Sequence, residues 1–429
     1  MSAPLFNPEL AGEVPGDEWL VRWRTDRAAD AAGRELPTAD SEEWRYSRID
    51  RFTHGEAAPL TDAVPKGPVP APVGEALEAL GEHCGHVVTV DGQVASVMGC
   101  PDAVTAGVSF GPATDPSLLG TVMGDAPDVF AAWNDALTAA PVVLDVPDGA
   151  TLDAPFVVVH HLAGEGVAAF PRLVVRAGQD SSFSVVEILL SDDVAGLVVP
   201  VTEFAVGRAA RVRHTVVQDL GPRVWQLGSL FADVAQEATW SSGVAALGGD
   251  MARLRIECRL TGRGAAGNVA ATYLGSDAQM VDLRTFQQHA APDTTSDLYF
   301  KGAVGDHAHS VYTGLIRIHP DGRGSDAVQA NRVVKLSEDA WAESVPNLEI
   351  ENNDVRCAHA STVGPVDVDQ RYYLESRGVP PAVADRLIVG GFFDDALAHF
   401  PVPEALGLIG RRIDAELDRD ITGLVGAGS

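Results

Sequence analysis

Lysine is almost missing from this chain. Only Lys66, Lys301 and Lys335 occur among 429 residues, and they are followed by Gly67, Gly302 and Leu336. A phosphate-cradling loop needs Gly-Lys followed by Ser or Thr, because the ammonium meets the phosphates and the hydroxyl meets magnesium. None of the three lysines satisfies this, so ATP hydrolysis of that kind has to come from another chain. Cysteine is nearly as scarce. Cys84, Cys100, Cys258 and Cys357 are too few and too dispersed for a disulfide scaffold, and no C-x-x-C pair offers a preformed zinc or ferredoxin-type site. No apolar run approaches the roughly 18–20 residues of a spanning helix. Met1-Ser-Ala-Pro-Leu5 has neither the basic segment nor the apolar core of a secretory leader. A soluble, cytoplasmic chain without a membrane partner is expected.

Positive charge is also short. Sixty acids against 31 bases give a net charge of −29, and the bases are scattered among acids, as at Arg253, Arg255, Arg259 and Arg263. Phosphate contacts need a local basic surface, so nucleic acid is not expected as a partner; the acidic surface serves solubility. What the chain does have is the balance of an ordinary globular protein, 46% hydrophobic and 21% charged. At roughly 150 residues per domain, its length suits two or three folded units.

The first segment reads as helix. Asp17 can cap a helix whose Trp19, Leu20, Trp23 and Ala31 fall at helical spacing, with Glu18 near the positive end of the helix dipole. Pro59, Pro65, Pro68, Pro70 and Pro72 then make a stiff connection over 57–73 that excludes helix and central strand. A short helix follows from Gly74 to Gly81. His86 to Val97 reads as a hairpin around Asp91-Gly92, and Asp128 to Ala140 as a helix with Phe130, Trp133 and Leu137 on one face.

From Pro141 the texture changes to strands. Val142–Val146, Phe156–His161, Leu173–Val175, Phe183–Leu190, Leu197–Val206 and Val212–Val217 are rich in Val, Ile, Thr and Phe, and the pattern continues to Val355. A weak repeat joins strand, small turn and strand, as at Gly178, Gly207 and Gly262. The first two turn glycines are 29 residues apart, and the looser later interval reads as about two coils per motif. Stacked short strands of this kind fit a parallel β-helix, and a jelly roll or sandwich shares the composition. The tail from Gln370 is helical again. Pro380-Pro381 opens one helix that runs to Gly390-Gly391, and Pro403 opens another through Leu406, Ile409, Ile413 and Leu417. Their apolar faces need either the core of this chain or a partner's groove.

Cys357-Ala-His359 is the local constellation with most chemistry. Residues two apart in a strand share a face, so thiol and imidazole could meet one metal, and iron suits both donors. From spacing alone a small buried cysteine beside a hydrogen-bonded histidine is the commoner reading, since Cys84-Gly-His86 has the same form. His307-Ala-His309 lacks a third ligand, His160-His161 points to opposite faces, and Asp394-Asp395 diverges on a helix. No H-E-x-x-H helix is present. Carboxylates on neighbouring coils could be arranged as in β-helix enzymes that cleave polysaccharides.

Several segments together resemble the SufB/SufD family of iron–sulfur cluster assembly scaffolds. Glu42-Glu-Trp-Arg-Tyr46, Asn134-Asp-Ala-Leu137, Val146-Pro-Asp-Gly149 and Pro155 to His160 match its first half. Lys301-Gly302, Asp306, Val311-Tyr312, Gly314, Asp326-Ala327, Gln329 and Asn331 match a family stretch that ends D-A-x-Q-x-N. Pro346-Asn-Leu-Glu-Ile350, Asp354-Val355, Cys357, His359, Thr362-Val-Gly364 and Tyr373-Leu-Glu-Ser-Arg-Gly378 follow in order. A C-x-H followed by T-V-G is similar to SufD rather than SufB, although Ala358 and Ala360 stand where the family has C-S-H-G.

The resemblance implies a mainly β fold: a right-handed parallel β-helix core over 141–369. It would be flanked by a largely helical α/β region over 1–140 and a helical domain over 370–429. It implies a non-catalytic scaffold subunit that pairs through its β-helix with a SufB-like paralogue and binds a SufC-like ATPase through the C-terminal helices. His359, with Cys357 as its companion, would be a ligand for transient iron or an iron–sulfur cluster at the paralogue interface. Whether a flavin joins the complex is left open. A parallel β-helix carbohydrate-active enzyme, or a purely structural β-helix, is the alternative.

Overall fold

The computed structural model describes residues 7–52, 57–64 and 67–426, with side chains as far as residue 419. Lys66 and Pro65 lie outside the described residues. The N-terminal region contains α1 (Leu10–Glu13), α2 (Glu18–Gly33), α3 (Ala71–Leu80), α4 (Pro101–Thr105) and α5 (Val129–Leu137). Asp17 precedes α2 in extended conformation without a side-chain cap, and Leu20, Trp23, Ala28 and Ala31 are buried as the helical spacing requires. Periodicity did not reveal Arg24, which is buried on the same helix and donates to the carbonyls of Ala11, Pro15 and Thr138. Helix α3 starts three residues before Gly74. Pro72 sits in its first turn, where a missing N–H costs nothing, so the end of the proline-rich connection is helical after all.

The hairpin forms as expected from β1 (Gly85–Val90) and β2 (Gln93–Gly99), with Asp91 at φ 51° and Gly92 at φ 83°. It is also more than a local feature, because β1 runs parallel to a solenoid strand and starts that sheet well before residue 141. After β3 (Ser109–Pro112), the strands alternate between two sheets. One sheet takes β4 (Val142–Val146), β7 (Arg172–Ala177), β10 (Val201–Val206), β12 (Val224–Val234), β14 (Met251–Leu260), β16 (Met280–His289), β18 (His309–Ile318) and β20 (Trp341–Ile350). The other takes β5 (Phe156–Leu162), β8 (Ser182–Ser191), β11 (Arg211–Asp219), β13 (Thr239–Ala246), β15 (Ala266–Gly275), β17 (Thr295–Val304), β19 (Asp326–Lys335) and β21 (Arg356–Pro365). Short strands β6 (Val167–Ala169) and β9 (Gly196–Val198) pair beside them. All these solenoid pairings are parallel, which settles the β-helix against the sandwich: eight coils, each giving one strand to each sheet.

Met251 pairs with Met280 and Met280 with His309, so 29 residues make one coil rather than two. The turn glycines follow the same step, with the Gly207 N–H bonded to the Ala177 carbonyl on the preceding coil. A Cβ at Gly207 would lie 2.5 Å from that oxygen, so the stacked turns admit no side chain there.

The interior is a column of Val, Leu, Ile, Phe and Tyr side chains running the length of the solenoid. Strands β5 and β8 are buried along nearly their whole length because both of their faces are covered. Residues of α1, α2, α5 and the Glu42–Trp44 turn pack over the eleven-stranded sheet, and α3, α7 (Pro381–Leu397) and α8 (Leu406–Gly426) over the ten-stranded one. Most of the tail's apolar face therefore belongs to this chain's own core. Helix α7 passes straight through Gly390-Gly391, because Val389 and Phe393 are buried on the sheet and this packing outweighs the roughly 1 kcal/mol helix penalty per glycine. Helix α6 (Val368–Ser376) buries no residue.

One interior group makes the solenoid pH-sensitive. His289 is fully buried between the Thr294 and Ser296 hydroxyls, at 2.8 and 2.9 Å, and burial pushes its pKa down to about 4. The unfolded chain, with a histidine near 6.5, binds the extra proton first, so stability is lost as pH falls from about 6.5 to about 4. The contribution is on the order of 3 kcal/mol across that window. Denaturant melts at pH 7 and pH 4.5 are expected to show a smaller difference for His289→Gln than for the parent chain.

Candidate metal site at the open end of the solenoid

Strands β20 and β21 end their respective sheets, each with a neighbour on one side only. At the opposite end the antiparallel strands β2 and β3 close the sheets. Among the described residues nothing covers the last coil, and every residue of β21 except Cys357 and Gly364 is exposed. Cys357 and His359 lie on this final strand. Their register partners on β19 are Ala327 and Gln329, both buried, whereas the intervening Val328 is exposed. Cys357 and His359 therefore occupy the inner face of the last coil, where the two-residue strand repeat puts them on one side. The open rim continues with Ser361 and Val363, and across the solenoid with Ser344, Leu348 and Ile350. Ala360 replaces the family glycine without strain, since it sits mid-strand opposite Ala330.

Burial, with a contribution from the Asp326 carboxylate, pushes the Cys357 thiol up. Without a cation the sulfur stays protonated at neutral pH, so it becomes a ligand only when a metal displaces that proton. Among the described residues no three His, Cys, Asp or Glu side chains converge to hold a metal ion. Cys357 and His359 are thus at most part of a coordination sphere.

Beneath the last coil lies a polar layer made by the family motifs. Gly302 on β17 sits under the Tyr273 ring, which a Cβ would overlap, while Lys301 faces outward to Asp395 on α7 at 2.5 Å. Tyr273 donates to Asn331 Oδ1 at 3.3 Å, and Asn331 Nδ2 donates to Ser344 at 3.0 Å. Gly314 leaves space for the Gln329 amide, whose Oε1 is buried and has no partner among the described residues. Spacing did not give Gln329 and Asn331 a role. Their alternation in D-A-x-Q-x-N, two residues apart like Cys357 and His359, was the available signal.

The other sequence candidates do not join this end. His307 is exposed, 4.0 Å from Asp339, and His309 packs on the Trp341 ring. His160 and His161 do face opposite ways: His161 reaches Asp192 at 3.3 Å, and His160 points inward to Thr89 at 2.7 Å. Sequence reading missed that Glu187 lies between His160 and His214, 3.7 and 3.6 Å from their Nε2 atoms. Burial works to raise the Glu187 carboxyl, and the two imidazoles and Thr202 outweigh it, so its pKa is lowered. Asp394 and Asp395 diverge, with Asp395 bound to Lys301 and Tyr299. Gly107-Val-Ser109-Phe-Gly111 spells a nucleophile-elbow pattern, yet Ser109 opens edge strand β3 and no strand-to-helix turn presents it.

Comparison with known proteins identifies the family. Residues 160–392 match the family model described as "SUF system FeS cluster assembly, SufBD core domain", a span that includes both Cys357 and His359. An iron–sulfur cluster assembly SufBD family protein of Mycobacterium tuberculosis is 33% identical over 305 residues, covering 68% of this chain and 74% of that protein. One of Mycobacterium leprae is 30% identical over 266 residues, covering 60% and 66%. One of Staphylococcus saprophyticus is 26% identical over 305 residues, covering 70% and 65%. With more than half its length matched by the core-domain model, the eight-coil chain belongs to the SufBD family of iron–sulfur cluster assembly proteins.

Proposed function

We propose that this chain is the SufD-like, non-catalytic subunit of a cytoplasmic SUF scaffold. It pairs through its open solenoid end with a SufB-like paralogue and presents His359, assisted by Cys357, to iron or a nascent cluster at that interface. The observation that carries the reading is the placement of a thiol and an imidazole on the inner face of the last coil, where no further coil covers them. A second solenoid abutting this end would pair the free strand edges, bury Ile350 and Val363 and bring the missing ligands.

A SufC-like ATPase would dock on the tail. Around α6 and α7, Val368, Tyr372 and Leu387 are 69%, 73% and 51% exposed, although the rest of the tail is packed on the sheet. They flank a groove of about 840 Å³ lined by Lys301, Val366, Tyr373 and Phe392. ATP hydrolysis would be the work of that partner, whose closure could be transmitted through α7 to the sheet by the Asp395–Lys301 pair.

His359→Ala tests the ligand role. The side chain is exposed in this chain, so the variant is expected to fold and pair as the parent does. The complex, isolated without oxygen, is expected to lose most of its iron by colorimetric assay. Unchanged iron in the paired complex would remove His359 from the ligand set.

A further inference from the structure

We infer that Gln329 is the positioning residue for His359, accepting its second imidazole N–H through Oε1 when the ring's other nitrogen holds iron. The inference rests on the ligand role proposed above and names the group that would make that role effective. Gln329 is 1% exposed, and its Oε1 is buried without a hydrogen-bond partner among the described residues. Leaving an amide oxygen buried and unpaired forfeits the hydrogen bonds it had to water, so such atoms are few in folded proteins.

Register identifies what the oxygen can serve. Gln329 is the direct neighbour of His359 on the adjacent strand, and both occupy the inner face. The next polar residue on that face, Asn331, is already engaged at both ends of its amide by Tyr273 and Ser344. Gln287 also has an unpaired buried amide, but it lies on β16, two strands in from the open edge of the opposite sheet. Of the two unpaired buried amides among the described residues, Gln329 is the one on the strand hydrogen-bonded to β21. Gly314 on the facing sheet keeps the space clear, since a Cβ there would overlap the Gln329 amide.

The chemistry calls for such an acceptor. An imidazole bound to a metal carries a more acidic N–H on its other nitrogen, and a carbonyl that accepts it fixes the tautomer, orients the ring and raises its donor strength. Loss of a partner of this kind typically costs about 10–100-fold in metal affinity. The D-A-x-Q-x-N pattern thereby acquires a role: it lays the acceptor one coil beneath the ligand.

The test is anaerobic ferrous titration of the full chain co-isolated with its paralogue, comparing Gln329→Met, Gln329→Glu and His359→Ala. Methionine keeps length and apolar packing but has no oxygen, and is expected to weaken iron binding about 10–100-fold with pairing intact. Glutamate keeps an acceptor and is expected to bind within a few-fold of the parent. In the cobalt(II)-loaded complex, the hyperfine-shifted imidazole N–H proton should exchange slowly in the parent and in Gln329→Glu, and rapidly in Gln329→Met. If His359→Ala abolishes binding while Gln329→Met matches the parent, the positioning role is overturned and the ligand role stands. If His359→Ala binds normally, both fall. Should Gln329→Met fail to assemble, Gln329→Asn replaces it, with its oxygen one methylene short. Binding by Asn equal to that by Glu then overturns the inference.

Discussion

Arg172→Met is expected to destabilise the fold by about 3–5 kcal/mol, because it strands two buried carboxylates. Arg172 is completely buried on β7 and reaches Asp135 at 2.5 Å and Glu203 at 2.6 Å. Glu203 further accepts the N–H groups of Gly120, Val122 and Met123 at 2.9–3.0 Å. Burial acts to raise both acids. Arg172 and the backbone N–H groups reverse this for Glu203, whose pKa is lowered, while Asp135 stays raised. Glu203 thus stabilises the fold above its unfolded pKa and ceases to do so as pH falls through its folded value. Without the guanidinium, both acids are cheapest when protonated, so the deficit of Arg172→Met should shrink between pH 7 and pH 4.5. Chemical denaturation at the two pH values measures it. A loss below about 1 kcal/mol at pH 7 would mean that the surroundings supply enough polarity without Arg172.

Ser361→Pro is expected to leave this chain folded and to abolish pairing with the paralogue. The Arg356 N–H bonds to the carbonyl of Ser325, the residue just before β19. By the alternation of a parallel ladder, residues 357, 359, 361 and 363 then turn their N–H groups to the free edge. Proline at 361 removes one edge donor and puts a ring in the path of an incoming strand, without touching the bonds to β19. Loss of about 3 kcal/mol at such an interface corresponds to more than 100-fold in affinity, measurable by co-isolation or by sedimentation of the mixed subunits. Ala360→Pro is the control. Its N–H faces β19, so it should lower the melting temperature instead. Pairing that survives Ser361→Pro would move the interface away from β21.

Much of the solenoid is legible in the sequence for a physical reason. Strands covered on both faces need apolar residues at successive positions, so Val142–Val146 and Phe156–His161 stand out as runs bounded by turn residues. What the runs do not encode is their partners. Residues 29 apart pair only when the whole coil stacks, so composition alone left β-helix and sandwich equal. Gly390-Gly391 misled for the complementary reason, because a local helix signal was outweighed by the sheet beneath α7. Leu197–Val206 reads as one run yet divides into β9 and β10, since Pro200 cannot donate to a ladder.

The candidate site was legible only in part. C-x-H spacing could place Cys357 and His359 on one face, and the ordered family motifs singled them out. Their exposure depends on which coil is last, which no local pattern states. The same holds for Asn134-Asp135. It reads as a family signature, and its function is to tie α5 to the solenoid: Asn134 Nδ2 donates to the Pro171 and Val199 carbonyls at 2.7 and 2.8 Å, and Asp135 holds Arg172.

The proposed function makes this chain one part of a scaffold whose open solenoid end is closed by a paralogue. Its most direct test is co-isolation of the tagged full chain from its native cells, at low salt and without oxygen, with the accompanying proteins identified by mass spectrometry. Recovery of a second β-rich SufBD-family chain together with an ATPase that carries a P-loop is the expected result. Recovery of this chain alone under those conditions would contradict the proposed pairing.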